Sequence, residues 1–271
     1  MRNDLSLLDP VRSLWRHRDL LWQMIERDTR SRYRGSAGGM FWSAINPLLM
    51  LAVYTFFFTE VFNARWAGAA PPKADFALIL FVGLLLHGLL AESFVRAPQL
   101  IVGQPNLVRK VVFPVDILPA VALGSALFHF AVGLCIWFAF FVFTRGLPPP
   151  TALLLPVIVV PFAVMLLGFA WFLCSLGVYL RDVGQIVPFL VAVLMFVSPV
   201  FYPVEALHEP FLSVVRLSPL TLPIEQARAV LIEGAMPDWL ALAKYSALAV
   251  AVAWTGYAWF QGTRRGFADV L

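Results

Sequence analysis

The sequence predicts an all-α, polytopic membrane protein with six transmembrane helices, an N-terminal interfacial amphipathic helix and short re-entrant helices before the last span. Three observations predict it. Of 271 residues, 61% are hydrophobic and only 13% are charged. A soluble domain carries about a quarter charged residues, and one core of this length cannot hide so much apolar surface. The apolar residues also gather into long runs that match the ~20 residues needed to cross the hydrocarbon. Finally, basic residues favour alternate loops. The composition excludes a disordered chain, which needs low hydrophobicity.

Residues 12–34 read as an amphipathic helix. Leu14, Trp15, Leu21, Trp22 and Ile25 form one stripe, and Arg12, Arg16, Asp19, Gln23, Glu26, Arg27 and Arg30 fill the rest. That pattern lies in a bilayer interface with its Trp pair at headgroup depth. Residues 1–40 form the cytoplasmic N-terminus. They contain no short apolar core ahead of a small-residue cleavage site, so no cleavable signal is expected. The spans follow at 41–62, 76–95, 117–143, 152–179, 184–202 and 241–261, within a permease domain over 41–262. The third and fourth exceed the hydrocarbon thickness and must tilt or protrude. Their many Phe and Val residues do not indicate strands, because isolated strands cannot cross lipid with unpaired edges. Residues 203–240 hold five prolines and several charges in a stretch too apolar for a plain loop. Two short re-entrant helices fit it. Residues 263–271 form a cytoplasmic tail.

Charge placement gives orientation. Eight Arg in the first forty residues, then Arg96, Arg109, Lys110, Arg181, Arg264 and Arg265, put fourteen of twenty basic residues on one side. Both termini are therefore expected in the cytoplasm. The net charge of +4 is topogenic rather than a nucleic-acid footprint. Cys135 and Cys174 lie inside apolar runs without CxxC spacing and read as packing residues.

The lysines Lys73, Lys110 and Lys244 are preceded by Pro, Arg and Ala, so no P-loop is present. No HExxH or G-x-S-x-G occurs either. If ATP powers transport, the motor is another chain, and no cofactor, metal or catalytic residue is expected on this one. Glu60, Glu92 and Asp116 lie near span ends, where snorkelling or capping accounts for them. Ion-coupled transport is therefore weakly supported. Aromatic residues suggest a different role. Tyr54, Phe57, Phe58 and Phe62 crowd the outer half of the first span, and Phe189, Phe196, Phe201 and Tyr202 mark the fifth. Many weak stacking faces suit a sliding polymer such as a polysaccharide. The loop Gln99–Pro114 is short, proline-bounded and partly apolar. It could enter a cleft on a peripheral subunit, with Arg109 and Lys110 at the rim and Leu107, Val111 and Phe113 buried.

The run Asn106-Leu107-Val108-Arg109-Lys110-Val111-Val112-Phe113-Pro114 resembles the Asn-Leu-x-x-Lys-x-x-Phe-Pro signature of type-two ABC exporter permeases for bacterial surface polysaccharide: capsule, O-antigen or teichoic acid. Arg27-Asp28, Arg32-Tyr33, Ser36, Gly39, Trp42 and Pro47 resemble the family's segment leading into the first span. Arg181-Asp182 and Phe267-Ala268-Asp269 resemble two further family features. The resemblance implies a homodimer docked on two separate ATP-binding cassette subunits, which bind ATP and Mg. It implies a coupling element over 97–113, with Asn106, Leu107, Arg109, Lys110, Phe113 and the adjoining Pro114 as coupling residues. It implies channel walls from the first and fifth spans, and a cytoplasmic entrance around Arg27, Asp28, Arg32, Tyr33, Trp42, Arg181 and Asp182. The substrate would be a lipid-linked polysaccharide at the inner membrane, with periplasmic and outer-membrane export partners in some relatives and no nucleic acid. Competing readings are an ABC-type lipid or drug exporter permease, an integral membrane enzyme acting on lipid-linked sugars, and an ion-coupled carrier.

Overall fold

A computed structural model describes Ser6 and residues 8–33, 41–57, 60, 73–105 and 113–270. The described regular elements are helical. In chain order they are α1 (Asp9–Arg16), α2 (Arg18–Tyr33), α3 (Trp42–Phe56), α4 (Lys73–Arg96), α5 (Gln99–Val102), α6 (Leu118–Arg145), α7 (Leu155–Tyr179), α8 (Val183–Val197), α9 (Phe211–Leu217), α10 (Thr221–Arg228), α11 (Trp239–Thr263) and α12 (Phe267–Val270).

Four helical stretches among the described residues are long and apolar enough to cross a bilayer: Ala74–Arg96, Val115–Arg145, Pro150–Tyr179 and Trp239–Gly266. The second, at 31 residues, rises roughly 46 Å, well beyond the ~30 Å hydrocarbon. Its surplus, like that of the third, begins in a 3-10 turn, at Val115–Ile117 and Pro150–Leu154 respectively. The first and fifth apolar runs give shorter described helices, α3 and α8, of 15 residues each. Proline stands inside α3 (Pro47), α7 (Pro161) and α8 (Pro188). An apolar bundle tolerates such breaks where neighbours satisfy the freed carbonyls.

Local sequence sets the helix ends. Pro119 opens α6, and Gly146, at φ 85°, ends it in a conformation that a side chain would strain. The Asp238 carboxylate accepts from the amides of Leu240 and Ala241, both at 3.0 Å, and caps α11. The helix expected over 12–34 is broken at His17 into α1 and α2. Its single stripe is also divided. Leu14 and Met24 pack inward and Ile25 fits the notch at Gly124 of α6, while Trp15 and Trp22 are each 69% exposed.

The centre of the bundle is α4, whose most apolar stretch is 67% buried, against 28% for α6 and for α11. Trp137 of α6 donates from Nε1 to the Leu78 carbonyl of α4 at 3.0 Å. The most extensive helix pair is α7 with α11. A Cβ on Gly256 would lie 2.1 Å from the Gly168 carbonyl oxygen, and one on Gly168 would lie 2.6 Å from the Ala253 backbone. The two backbones therefore cross in contact, the close approach that small residues permit in membranes. The buried side chains form two clusters. The larger runs through α4, α6, α7, α8 and α10. The smaller gathers Ile101, Val115, Leu118, Trp171, Cys174, Tyr257, Phe260 and Phe267 at the end of the bundle where α2, α5 and α12 lie.

Candidate functional site: the loop base and the α2 latch

The residues 106–112 lie outside the described residues, so Asn106, Leu107, Arg109 and Lys110 are not placed. The described chain on either side shows how this loop is held. On the approaching side, Gly177 of α7 admits the backbone at Pro98, because a Cβ there would sit 2.4 Å from the Pro98 carbonyl oxygen. Ile101 of α5 is fully buried, and the Cys174 thiol is hydrogen-bonded to its backbone. On the returning side, Phe113 and Pro114 are partly buried, and Trp171 Nε1 donates to the Asp116 carbonyl at 2.8 Å. Trp171, Cys174 and Gly177 recur at helical spacing, so a single face of α7 grips both feet of the loop.

The second feature joins α2 to the bundle. Arg32 of α2 pairs with Glu92 of α4 at 2.8 Å, and His129 of α6 donates from Nδ1 to the same carboxylate at 2.9 Å. Arg96, one turn on in α4, donates to Asp28 of α2 at 2.7 Å. Thr29 and Ser125 share a buried hydroxyl hydrogen bond at 2.9 Å. Partial burial alone would raise the Asp28 carboxyl. The hydrogen bonds from Arg96 and Ser125 and the charges of Arg96 and Arg32 outweigh it and hold that carboxyl below its ordinary range.

A pocket of about 610 Å³ opens between α2, α5 and α6 beside this latch, and Arg27, Asp28, Arg96, Gln104 and Phe113 line it. Two members of the predicted entrance group and one of the predicted coupling group thus meet at one opening. Other entrance residues lie apart from it. Arg181 and Asp182 are exposed in the link between α7 and α8, and Trp42 is exposed at the start of α3. Tyr33 ends α2, and its side chain lies outside the described residues, as does that of Tyr54 in α3.

Among the predicted channel aromatics, Phe58 and Phe62 also lie outside the described residues. Phe57 is exposed, and Phe189 and Phe196 of α8 are each 68% exposed on one side of the bundle. Phe201 differs. It is 8% exposed and packs in the larger cluster, its ring 5.8 Å from that of Phe196. Tyr202 is half-buried and donates its hydroxyl to the Phe196 and Val197 carbonyls at the end of α8.

At the opposite end of the bundle, α9 and α10 form two short helices in the stretch 203–240. The second, α10, is tied down by Arg228, one of the charged residues of that stretch, in a role that the sequence did not show. Arg228 is 6% exposed, and donates to the carbonyls of Pro199 (2.6 Å), Val200 (2.8 Å) and Ile79 (3.2 Å). The roles of Glu92, His129 and Arg96 were missed too. Ionisable groups inside apolar runs were the available signal, since such groups are costly in a bilayer and need partners.

The arrangement is one of mechanical attachment: a tethered loop, a latched N-terminal helix and an apolar bundle. Comparison with known proteins gives the family. The chain belongs to the ABC-2 type transporter family, which matches residues 19–232. It is 28% identical over 263 residues to the O-antigen export system permease protein RfbA of Myxococcus xanthus, across 96% of this chain and 98% of that protein. Two Klebsiella pneumoniae proteins of the same description are 23% and 22% identical over 256 residues, each match covering 93% of this chain and 95% of the relative. The chain is accordingly a multi-pass permease subunit of an ABC-type exporter, and not an enzyme.

Proposed function

We propose that this chain forms the membrane passage of an ATP-driven exporter that moves lipid-linked surface polysaccharide across a bacterial inner membrane. The observation that carries this reading is the near full-length similarity to permeases described as O-antigen export proteins. In this reading the chain crosses the bilayer six times, with α3 and α8 completing the four long spans, and both termini are cytoplasmic. Two copies enclose the passage about a symmetry axis. Tyr54, Phe57, Phe58, Phe62, Phe189 and Phe196 offer aromatic faces along which sugars slide, and Phe201 and Tyr202 support them from behind. The helices α9 and α10 re-enter the membrane at the outer end.

The motor is a pair of ATP-binding cassette subunits beneath the permease. The element 97–113 meets them, with Leu107, Val111 and Phe113 buried in the contact, Arg109 and Lys110 at the rim, and Asn106 and Pro114 flanking them. Arg27, Asp28, Arg32, Tyr33, Trp42, Arg181 and Asp182 surround the entrance. Binding of ATP closes the motor, and the loop passes that motion to the spans. Periplasmic and outer-membrane export proteins receive the polymer.

The test is copurification with the cognate ATPase, followed by export measured with each subunit deleted in turn. Export should need both. The paired substitution Arg109→Glu and Lys110→Glu should leave membrane insertion intact while lowering both export and permease-stimulated ATP turnover. Export that continues without the ATPase overturns the proposal, and normal export in the double variant overturns the coupling assignment.

A further inference from the structure

Asp116 is a carboxylate with 4% exposure, two residues beyond the Pro that ends the loop. Its location as a span-end group suggests a cap or a snorkelling charge, yet its side chain does neither. Ser13 of α1 donates its hydroxyl to Asp116 Oδ2, and the Tyr257 hydroxyl of α11 reaches the same oxygen at 3.5 Å. The Asp116 backbone carbonyl meanwhile accepts from Trp171 of α7. Trp171 and Tyr257 are themselves in edge contact, with centroids 5.0 Å apart. One residue at the foot of the loop therefore touches the first helix, the third long span and the last one.

The chemistry favours a directional link. A buried carboxylate needs donors, because leaving one unsatisfied costs more than a hydrogen bond returns. When the loop foot shifts, the donors must follow it or the carboxylate loses them. Ser13 is the less embedded of the two donors. It sits on an eight-residue helix whose other contacts are few, whereas Tyr257 is embedded in the α7–α11 pair. The latch at Glu92 and Asp28 holds the far half of the N-terminal region, at α2, to α4 and α6. The Ser13–Asp116 bond holds the near half, α1, to the loop.

The geometry points to Asp116 as a positioning residue for coupling, which ties the loop to the N-terminal interfacial helix so that α1 moves with the motor. This inference rests on the coupling reading above. It adds that the stroke reaches α1 through a side-chain link as well as reaching the spans through α7.

The test uses the permease–ATPase complex in lipid nanodiscs, with Cys135→Ala and the buried Cys174 left in place. An environment-sensitive fluorophore is attached at Gln104→Cys, on the loop, or at Arg16→Cys, on α1. Trapping with ATP and vanadate should shift the emission of both labels in the otherwise unaltered complex. With Asp116→Leu or Ser13→Ala, the Gln104 label should respond as before, and the Arg16 response should fall at least threefold. Asp116→Asn, which keeps an acceptor for Ser13, should retain it. A merely structural role would weaken both labels together or neither. An Arg16 response that is unchanged in Ser13→Ala and Asp116→Leu overturns the link, as does parallel loss at both positions. No response at Gln104 in the unaltered complex overturns the coupling reading itself.

Discussion

Arg228 carries a full charge into the packed end of the bundle, where its guanidinium donates to backbone carbonyls. Pro199 and Val200 follow the last turn of α8, where carbonyls have no helical partner and lipid offers no donor. The planar guanidinium reaches these two and the Ile79 carbonyl of α4 at once. Replacing it with Met should lower stability by about 2–4 kcal/mol, read as a drop in thermal midpoint in detergent. Lys, with a single ammonium, should recover little of the loss. Asp28 gives a milder case. Its pair with Arg96 is partly exposed, so Asp28→Asn should cost only about 1–2 kcal/mol. The sign with pH follows from its lowered carboxyl. A depressed pKa stabilises the fold above the ordinary carboxylate value of 3.8 and loses that contribution as pH falls through the folded value. Acid titration below about pH 4 should therefore loosen α2, seen as a change in emission from Trp22, and Asp28→Asn should weaken this transition.

At the scale of elements, the crossing of α7 over α11 sets the arrangement of the long spans. Gly256→Ala drives a methyl into the Gly168 carbonyl, and no flexible side chain stands there to yield. The helices must separate, at a cost of about 1–3 kcal/mol in lost packing. Gly88 in α4 is the control, with nothing within 4 Å of an added Cβ. Gly88→Ala should be neutral or slightly stabilising, since Ala is the better helix former by about 0.5–1 kcal/mol. Paired thermal melts separate the two outcomes. The long helices were legible in the sequence because a run of ~20 apolar residues admits almost no other structure in a bilayer. The division of the first helix at His17 was less legible. Which of its apolar residues face the bundle depends on the notch at Gly124, a feature of a helix far along the chain. The latch was hidden for the same reason. Glu92 looked like an isolated span-end charge until α2 and α6 brought Arg32 and His129 to it.

The whole molecule has two distinct ends. At one, Tyr179 and Ser175 of α7 meet Thr263 of α11, while Arg96 meets Asp28 and the loop feet are gripped. At the other, Asp75 pairs with Arg145 at 2.6 Å, Thr151 bonds the Val230 carbonyl, and Tyr245 bonds that of Pro219. The described basic residues at the first end include Arg12, Arg16, Arg18, Arg27, Arg30, Arg32, Arg96, Arg181, Arg264 and Arg265; the second has Lys73, Arg145, Arg216, Arg228 and Lys244. Orientation follows the Lys and Arg bias near span ends, and acids count for little. The first end should therefore face the cytoplasm. That choice decides whether a soluble motor can reach the loop at all. In cells carrying Cys135→Ala, a membrane-impermeant maleimide should label Glu209→Cys from outside. It should label Gln104→Cys only after the membrane is opened. Labelling of Gln104→Cys in intact cells would place the loop on the wrong side for an ATPase, and the tether formed by Trp171, Cys174 and Gly177 would then need another purpose.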